Sequence, residues 1–545
     1  MQETIRLLIN PCSKVVKAKK GDALIDVFVS AGIEIPVLCN KNGSCGKCRV
    51  VVKADANPVS EIERLSLGDA LLQKGYRLAC RTEVWGDGEV TVPVESSEEA
   101  LESIYSGDEI QVIKNKRFNY PLRPQVASGY SAALDLGTTT ITGYLFDSNG
   151  NLLSYCSCFN PTTLYGGDVM TRMTYIQGKP ENFLHLRSSL FTGIKKILSS
   201  LCIRALGFER GIDIQDECLQ RIAVCGNTFM QHVFLGLNPV EIGLFPHRPL
   251  LKDSVKAKAG DISGLVNAGV FEQTEVLVAP AVDSFIGGDA VCGAIATMLH
   301  KSSEPAIMID LGTNGEMVLN NNGHLFAASA SAGPAFEGYQ ISAGMRATVG
   351  AINSINIDED HTVHYNVIGG IKPKGICGTG IVSSIAELIR TDLLTETGHI
   401  KKGHFCIVPE GESFTGSAIV LTDKDVEVVQ KAKAAFSSGI FSLLRTAGLG
   451  LQDLKRIYLA GAFGSRASKD DLKGIGLIPY EINAEVIPSG NSAGAGIAML
   501  LLSESAENEA IDLARKINVV EFVLQKEFED EYLNALFFKK YARNI

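Results

Sequence analysis

LDLGTTTITGYLFDSNGNLLS, residues 134–154, has a counterpart in IDLGTNGEMVLNNNGHLFAAS, residues 309–329. Each stretch is an apolar strand ending in Asp-Leu-Gly-Thr, then a second β-rich run, an Asn-Gly pair (Asn149-Gly150 and Asn322-Gly323), and a third run. Asn-Gly between alternating apolar runs predicts a type I′ hairpin, whose two central residues both need positive φ. Two copies of one β-meander, roughly 175 residues apart, predict two related subdomains closing on a shared cleft. A Gly/Thr-rich turn directly after a strand offers N–H groups and hydroxyls to phosphate, and an Asp at the strand end can hold Mg2+ through water. One such turn is common punctuation. Two in matched contexts make Asp135 and Asp310 candidate catalytic residues. A P-loop ATPase is excluded because G-x-x-x-x-G-K-[ST] is absent, and no G-x-G-x-x-G opens a helix after a strand.

The 545 residues exceed one core and predict three or four domains. A net charge of -10 argues against a nucleic-acid partner, since that binding rests on Lys and Arg neutralising phosphates. No apolar run reaches the roughly 18 residues of a membrane helix, and the start, MQETIRLLINPCSKVV, lacks the pattern of a secretory signal. The expectation is a cytoplasmic protein with no membrane association. Thirteen cysteines then read as thiols or metal ligands rather than disulfides. Nine of them (Cys12, Cys156, Cys158, Cys202, Cys218, Cys225, Cys292, Cys377 and Cys406) are scattered and read as buried small hydrophobes.

The other four cluster. CNKNGSCGKC brings Cys39, Cys45 and Cys48 together, and RLACRT adds Cys80. Four thiolates hold zinc or a [2Fe-2S] cluster, both soft and tetrahedral. A zinc ribbon usually pairs two C-x2-C knuckles, whereas this chain has one pair, a third cysteine six positions upstream and a remote fourth. Gly43, Ser44, Gly46 and Lys47 form a loop suited to aiming N–H groups at bridging sulfides. Around them, residues 1–92 alternate short β runs with one helical pattern, GDALIDVFVSAG, and read as a small mixed domain. Residues 93–126 read as a linker, 127–300 as the first subdomain and 301–545 as the second. In the last, TDKDVEVVQKAKAAFSSGIFSLLRTAGLG is an amphipathic helix with Thr422 as N-cap and Gly448 just past its end.

Residues 1–92 resemble a β-grasp [2Fe-2S] ferredoxin domain, departing from plant-type C-x4-C-x2-C spacing by one residue, as adrenodoxin-like ferredoxins do. The DLGTTT turn at Asp135, the DLGTNGE turn at Asp310 and LAGAFG at Leu459 resemble the two phosphate motifs and the adenosine motif of the actin, sugar kinase and Hsp70 superfamily. That resemblance implies an α/β and α+β multidomain protein with duplicated ribonuclease-H-like ATPase domains. It implies that Asp135, Gly137, Thr138, Thr139 and Thr140 form the first phosphate loop, and Asp310, Gly312, Thr313 and Asn314 the second. Gly461, Ala462, Phe463 and Gly464 would lie against adenine and ribose, with ATP and Mg2+ as cofactors.

The domain order is similar to that of the reductive activators of corrinoid proteins. NPTTLYGGDVMTR from Asn160, GNTFMQHVFLG from Gly226, SAGPAFEG from Ser331, GICGTG from Gly375 and GLIP from Gly476 fit the same family. Within these stretches Glu337 is a candidate for orienting water beside the commoner role of a solvated carboxylate, and Asp168 and Arg172 read as an i,i+4 pair. The resemblance implies ATP-dependent reduction of Co(II) to Co(I) in a corrinoid protein of a methyltransferase system, in an anaerobic setting. It also implies a low-potential donor, ferredoxin or flavodoxin-like, and a homodimer. Two alternatives stand beside it: an iron–sulfur activator of the 2-hydroxyacyl-CoA dehydratase type, and a non-catalytic redox sensor. A small-molecule kinase would leave the ferredoxin domain without a task.

Overall fold

The computed structural model describes the chain except for residues 1–2, 11–12, 32, 34, 36–42, 44–47, 94–112, 114–119, 124–128, 207–218, 313, 339, 415, 465 and 539–545. Cys12, Cys39, Cys45, Cys218, Thr313 and most of the 93–126 linker therefore lie outside the described residues.

The first five strands are β1 (Thr4–Asn10), β2 (Lys14–Lys19), β3 (Arg49–Ala56), β4 (Tyr76–Leu78) and β5 (Val84–Thr91), in the order β2-β1-β5-β3-β4. β1 alternates exposed and buried residues, so Ile5, Leu7 and Ile9 share one face. That face packs on Leu24, Ile25, Val27 and Phe28 of the helix Leu24–Ala31. A second helix, Glu61–Gln73, opens on a Ser60/Glu63 capping box. Its Glu63, fully buried, accepts two bonds from Arg77, at 2.8 and 3.1 Å, and one from Leu78 N–H. The helix is thus locked to β4, the strand that leads into Cys80.

The two later sheets repeat one plan. In the first, β6 (Tyr130–Leu136), β7 (Thr140–Phe146) and β8 (Leu152–Phe159) form an antiparallel meander. β9 (Leu219–Gly226) adds in parallel beside β6, followed by β11 (Glu275–Val278) and the edge strand β10 (Val255–Lys258). In the second, β12 (Ala306–Asp310), β13 (Gly315–Asn321) and β14 (His324–Ala330) form the meander. Between its halves the chain inserts the small sheet β15 (Ala351–Ile357), β16 (Val363–Val367) and β17 (Gly375–Ile376), and the hairpin β18 (His404–Val408)/β19 (Ile419–Thr422). β20 (Arg456–Ala460) and β21 (Glu485–Gly490) then add in parallel beside β12, and β22 (Ile517–Val519) closes the far edge. Both sheets read third, second, first, fourth strand and then one further parallel strand, β11 in the first and β21 in the second, the ribonuclease-H-like order expected from the duplicated motif.

The second hairpin turns at Asn322 (φ 50°) and Gly323 (φ 90°), as type I′ requires. The first does not. Asp147 Oδ1 accepts from Asn149 and Asn151 N–H, and only Gly150 takes positive φ, giving a longer loop with a bulge between Leu145 and Phe146. An aspartate at the loop entry replaced the two-residue turn with its own side-chain bonds. The long helix Asp423–Thr446 starts at the Thr422/Asp425 capping box, and Gly448 follows its end at φ 69°. Cys406 is exposed, contrary to expectation, because β18 sits in a two-stranded hairpin with a free face. Cys156, Cys158, Cys202, Cys225, Cys292 and Cys377 are buried.

The subdomains meet along the helices Gly288–Ala296 and Ser492–Leu502, within one apolar cluster that also holds Ala133, Tyr144, Met308 and Val318. A Cβ at Gly496 would stand 2.0 Å from Cys292 O, so glycine permits this close approach. The helix Ser492–Leu502 also packs on β6 and β9, carrying a late segment of the chain onto the first sheet.

Candidate functional site

Asp135 and Asp310 end the central strands of the two sheets, each beside the end of a parallel neighbour: Asp135 pairs with Cys225 and Asp310 with Ala460. Carboxyl ends of strands in such sheets are where ligands gather. Between the two ends lies a cavity of about 220 Å³, lined from both subdomains. Gly137, Thr138, Thr139 and Thr140 border it on one side, Gly312 and Asn314 on the other. Gly461 and Phe463, in a single helical turn Gly461–Gly464 that includes Ala462, line it too. In LAGAFG the short helix follows β20 directly because Gly461 takes φ 83° and redirects the chain. Gly464 packs beside Leu311, where a Cβ would stand 3.4 Å from Leu311 Cδ1.

Four carboxylates converge on the floor. Two were legible, Asp135 and Asp310; Asp289 and Glu316 join them. The aspartates keep partial access to solvent and Glu316 is buried, yet surrounding protein desolvates all four. Burial raises Asp135 to about 6, offset in part by bonds from Asn491 and Cys225. Burial, then the neighbouring carboxylates Asp135 and Asp310, raise Asp289 to about 7. Asp310 also rises to about 7, through burial first and then the charges of Asp135 and Glu337. Glu316 is raised well above its ordinary value by burial and by Asp289 and Asp310. Four carboxyl groups that resist being charged together favour positive charge between them; among the described residues no three of them form a ready-made metal site, so a cation here would be held largely through water and phosphate.

Asn491 caps its helix by accepting from Gly494 N–H and donates to Asp135 Oδ2 at 2.9 Å. Asn227 does the same for the helix Thr228–Leu235, accepting from Met230 N–H and donating to Thr138 Oγ1 at 2.9 Å. Phe336 and Phe463 stack at 4.8 Å between centroids, 11° from parallel, against Gly378. Thr379 follows Gly378 in the lining, so GICGTG and SAGPAFEG both reach the cavity, Glu337 included. Arg346 of the second subdomain lies over the Phe159 ring of the first at 3.5 Å. Asp168 caps the helix Val169–Gly178 through Thr171 rather than serving an i,i+4 pair, and Arg172 turns inward to the carbonyls of Gly166 and Thr138.

In the N-terminal domain Cys48 and Cys80 are buried with their sulfurs 3.3 Å apart. Ala79 N–H donates to Cys48 O at 2.8 Å and fixes the two segments together. Two thiolates on one tetrahedral metal at about 2.3 Å would stand about 3.8 Å apart, so the pair fits adjacent ligands of one iron. Gly43 (φ 86°) is held by Ser66 Oγ at 2.9 Å, which anchors the cysteine loop to the helix Glu61–Gln73.

A ferredoxin-type domain with a convergent thiol pair, joined to two ribonuclease-H-like halves around a carboxylate-floored cleft, defines an iron–sulfur protein with an ATPase of the actin and Hsp70 type. Comparison with known proteins agrees. Residues 8–84 match the 2Fe-2S iron-sulfur cluster binding domain, 130–302 the RACo middle region, and 304–544 the C-terminal domain of RACo, the ASKHA domain. The corrinoid activation enzyme RamQ of Eubacterium limosum is 34% identical over 430 residues, covering 75% of this chain and 70% of RamQ. The [Co(II) methylated amine-specific corrinoid protein] reductase of Methanosarcina barkeri is 28% identical over 437 residues, 75% of this chain and 76% of that protein. A solved structure, a reductive activator for corrinoid, iron-sulfur protein, superposes with a TM-score of 0.68 at 28% identity over 98% of both chains. The chain belongs to the RACo family of corrinoid activation proteins. The 2Fe-2S domain match supports a [2Fe-2S] cluster over zinc within residues 8–84, and the ASKHA match supports ATP as the ligand of the cleft.

Proposed function

We propose that this chain reductively activates a corrinoid protein of a methyltransferase system, returning Co(II) to Co(I) with ATP bound in the cleft. What carries the reading is the presence in one chain of a buried thiol pair fit for a redox centre and a two-sided nucleotide cleft. When bound, the [2Fe-2S] cluster supplies one-electron transfer at low potential. Cys39, Cys45, Cys48 and Cys80 would hold it, with the Glu63–Arg77 pair keeping the Cys80 strand in place.

The domains of this reading are the ferredoxin-like residues 1–92, the linker 93–126 and the ATPase subdomains 127–300 and 301–545. Asp135 and Asp310 would hold Mg2+ through water, with Asp289 and Glu316 adding negative charge beside them. The backbone and hydroxyls at 137–140 and 312–314 would receive the phosphates, and Gly461, Ala462, Phe463 and Gly464 the adenosine. A low-potential ferredoxin or flavodoxin-like donor in the cytoplasm would supply electrons, and the protein would act as a homodimer. Each 59 mV uphill costs a factor of ten for one electron, so a gap of ~150 mV leaves well under 1% Co(I) without help. ATP helps only through different affinity for two states of the complex, and a nucleotide gripped by both subdomains favours the closed one.

The test is anaerobic: protein, a low-potential reductant and a corrinoid protein, with Co(I) followed spectroscopically. Equal rates with and without MgATP would sink the coupling. Gly461→Ala probes the cleft itself. Its Cβ would stand 2.6 Å from Asp310 Oδ1 at a φ of 83°, so the carboxylate must move. We expect MgATP affinity by calorimetry to fall about tenfold or more, with the visible spectrum unchanged.

A further inference from the structure

The segment Asn160–Arg172 touches the nucleotide cleft at both ends and the ferredoxin domain in its middle. Asn160, fully buried, donates from Nδ2 to Gly137 O at 2.7 Å and from its backbone to Thr139 O at 2.9 Å. Arg172, also fully buried, donates from Nη2 to Thr138 O and from Nε to Gly166 O at 2.9 Å. Three consecutive carbonyls of the first phosphate loop are therefore held by one strap. Burial depresses Arg172 to about 9, the mark of a guanidinium kept in a costly place by its partners.

Between these anchors the strap forms a short turn, Pro161–Tyr165, whose Thr162 and Thr163 bond back to Asn160. Leu164, 9% exposed, does not join the core of its own subdomain. It completes the apolar cluster of the N-terminal domain, the one that contains Cys48 and Cys80, with Tyr165 packed alongside. A leucine so placed makes a rigid short path from phosphate loop to ferredoxin core.

We propose that Asn160 and Arg172 are positioning residues of the phosphate loop, and that the strap they anchor transmits nucleotide occupancy to the ferredoxin domain through Leu164. The inference rests on the cleft binding nucleotide, as proposed above. Phosphate entering the loop shifts carbonyls 137–139, the strap follows because its buried donors cannot be left unpaired, and the Leu164 contact moves with it. The ferredoxin domain thereby senses ATP without touching it.

Hydrogen exchange on the cluster-loaded protein, with and without a non-hydrolysable MgATP analogue, tests this. In the parent the analogue is expected to slow exchange in peptides of the phosphate loop and also of β3 and β4, by about fivefold or more, the low end of ordinary coupling between sites. In Leu164→Ala the phosphate-loop effect persists, the β3–β4 effect disappears, and ATP stimulation of Co(I) formation drops to near unity while the ATP-free rate stays. Leu164→Met restores both. Protection of the phosphate loop without any change in parental β3 and β4 overturns the strap and leaves the nucleotide reading standing. So does a Leu164→Ala protein that keeps the parental β3–β4 response. No protection anywhere removes the nucleotide reading, and the strap with it. If Leu164→Ala loses its visible spectrum, the parental comparison alone decides.

Discussion

Asp310→Asn is expected to lower ATP-stimulated Co(I) formation by about a hundredfold while raising the thermal stability of the nucleotide-free protein at pH 8. The two effects have one cause. Asp310 faces Asp135 and Glu337 in a desolvated floor, and its carboxyl is raised to about 7. An acid whose folded value is raised contributes stability that is fully present below its ordinary value near 3.8 and is lost as pH rises through about 7. The parent without nucleotide is thus less stable at pH 8 than at pH 5 from this contribution, and asparagine, which cannot ionise, escapes the loss. Melting curves of parent and variant should converge below about pH 4, diverge as pH rises toward 7 and stay apart at pH 8, with the variant higher. Mg2+ reverses the order at pH 8, since only ionised carboxylates welcome it. Asp289, raised to about 7 for the same reasons, reinforces the effect. A variant with undiminished ATP stimulation would show that Asp310 does not serve the nucleotide.

Much of this floor was legible because strand ends and turns are local. The Asp-Leu-Gly-Thr repeat announced both meanders, both central aspartates and the pseudo-symmetric sheets. Glu316 lay inside the quoted repeat, two residues after Asn314, where the first copy carries Ile141. An acid in place of isoleucine on a buried strand is the local signal that marks Glu316 as part of the site. Asp289 follows Gly287-Gly288 at a helix start and looks like ordinary first-turn capping. Only the fold reveals that this helix end points at the other three carboxylates. Asn491 and Arg172 had no local signal at all. Asn491 lies 356 residues from Asp135, brought there by the helix Ser492–Leu502 crossing onto the first sheet. Arg172 obeyed the i,i+4 pattern with Asp168, yet the carbonyls of Gly166 and Thr138 compete for its buried guanidinium and prevail. The first hairpin has the same character: Asp147 offers bonds that a dipeptide rule does not weigh.

Cys80→Ser is expected to abolish the visible absorption of the iron–sulfur centre and with it Co(I) formation, whether or not MgATP is present. Hard alkoxide is a poor substitute for soft thiolate at iron, and the sulfur it replaces is buried 3.3 Å from that of Cys48. Because a metal centre contributes folding free energy to a small domain, residues 4–91 should become the preferred site of limited proteolysis. The cleft should still bind MgATP, since it lies in separate sheets with their own cores, with affinity lowered by no more than the roughly fivefold coupling that the Leu164 contact carries. The same variant separates an activator from a redox sensor. In a sensor, reduction changes partner binding but no electron leaves, so Co(II) would persist in the parent as well. In an activator, the parent yields Co(I) and Cys80→Ser yields none. Glu63→Gln supplies the intermediate case: its ligand cysteines are intact, but the Arg77 bonds that brace the Cys80 strand are weakened. A centre that forms yet bleaches faster in air would place Glu63 as support for the ligand loop; parental lifetime would confine the pair to holding the helix.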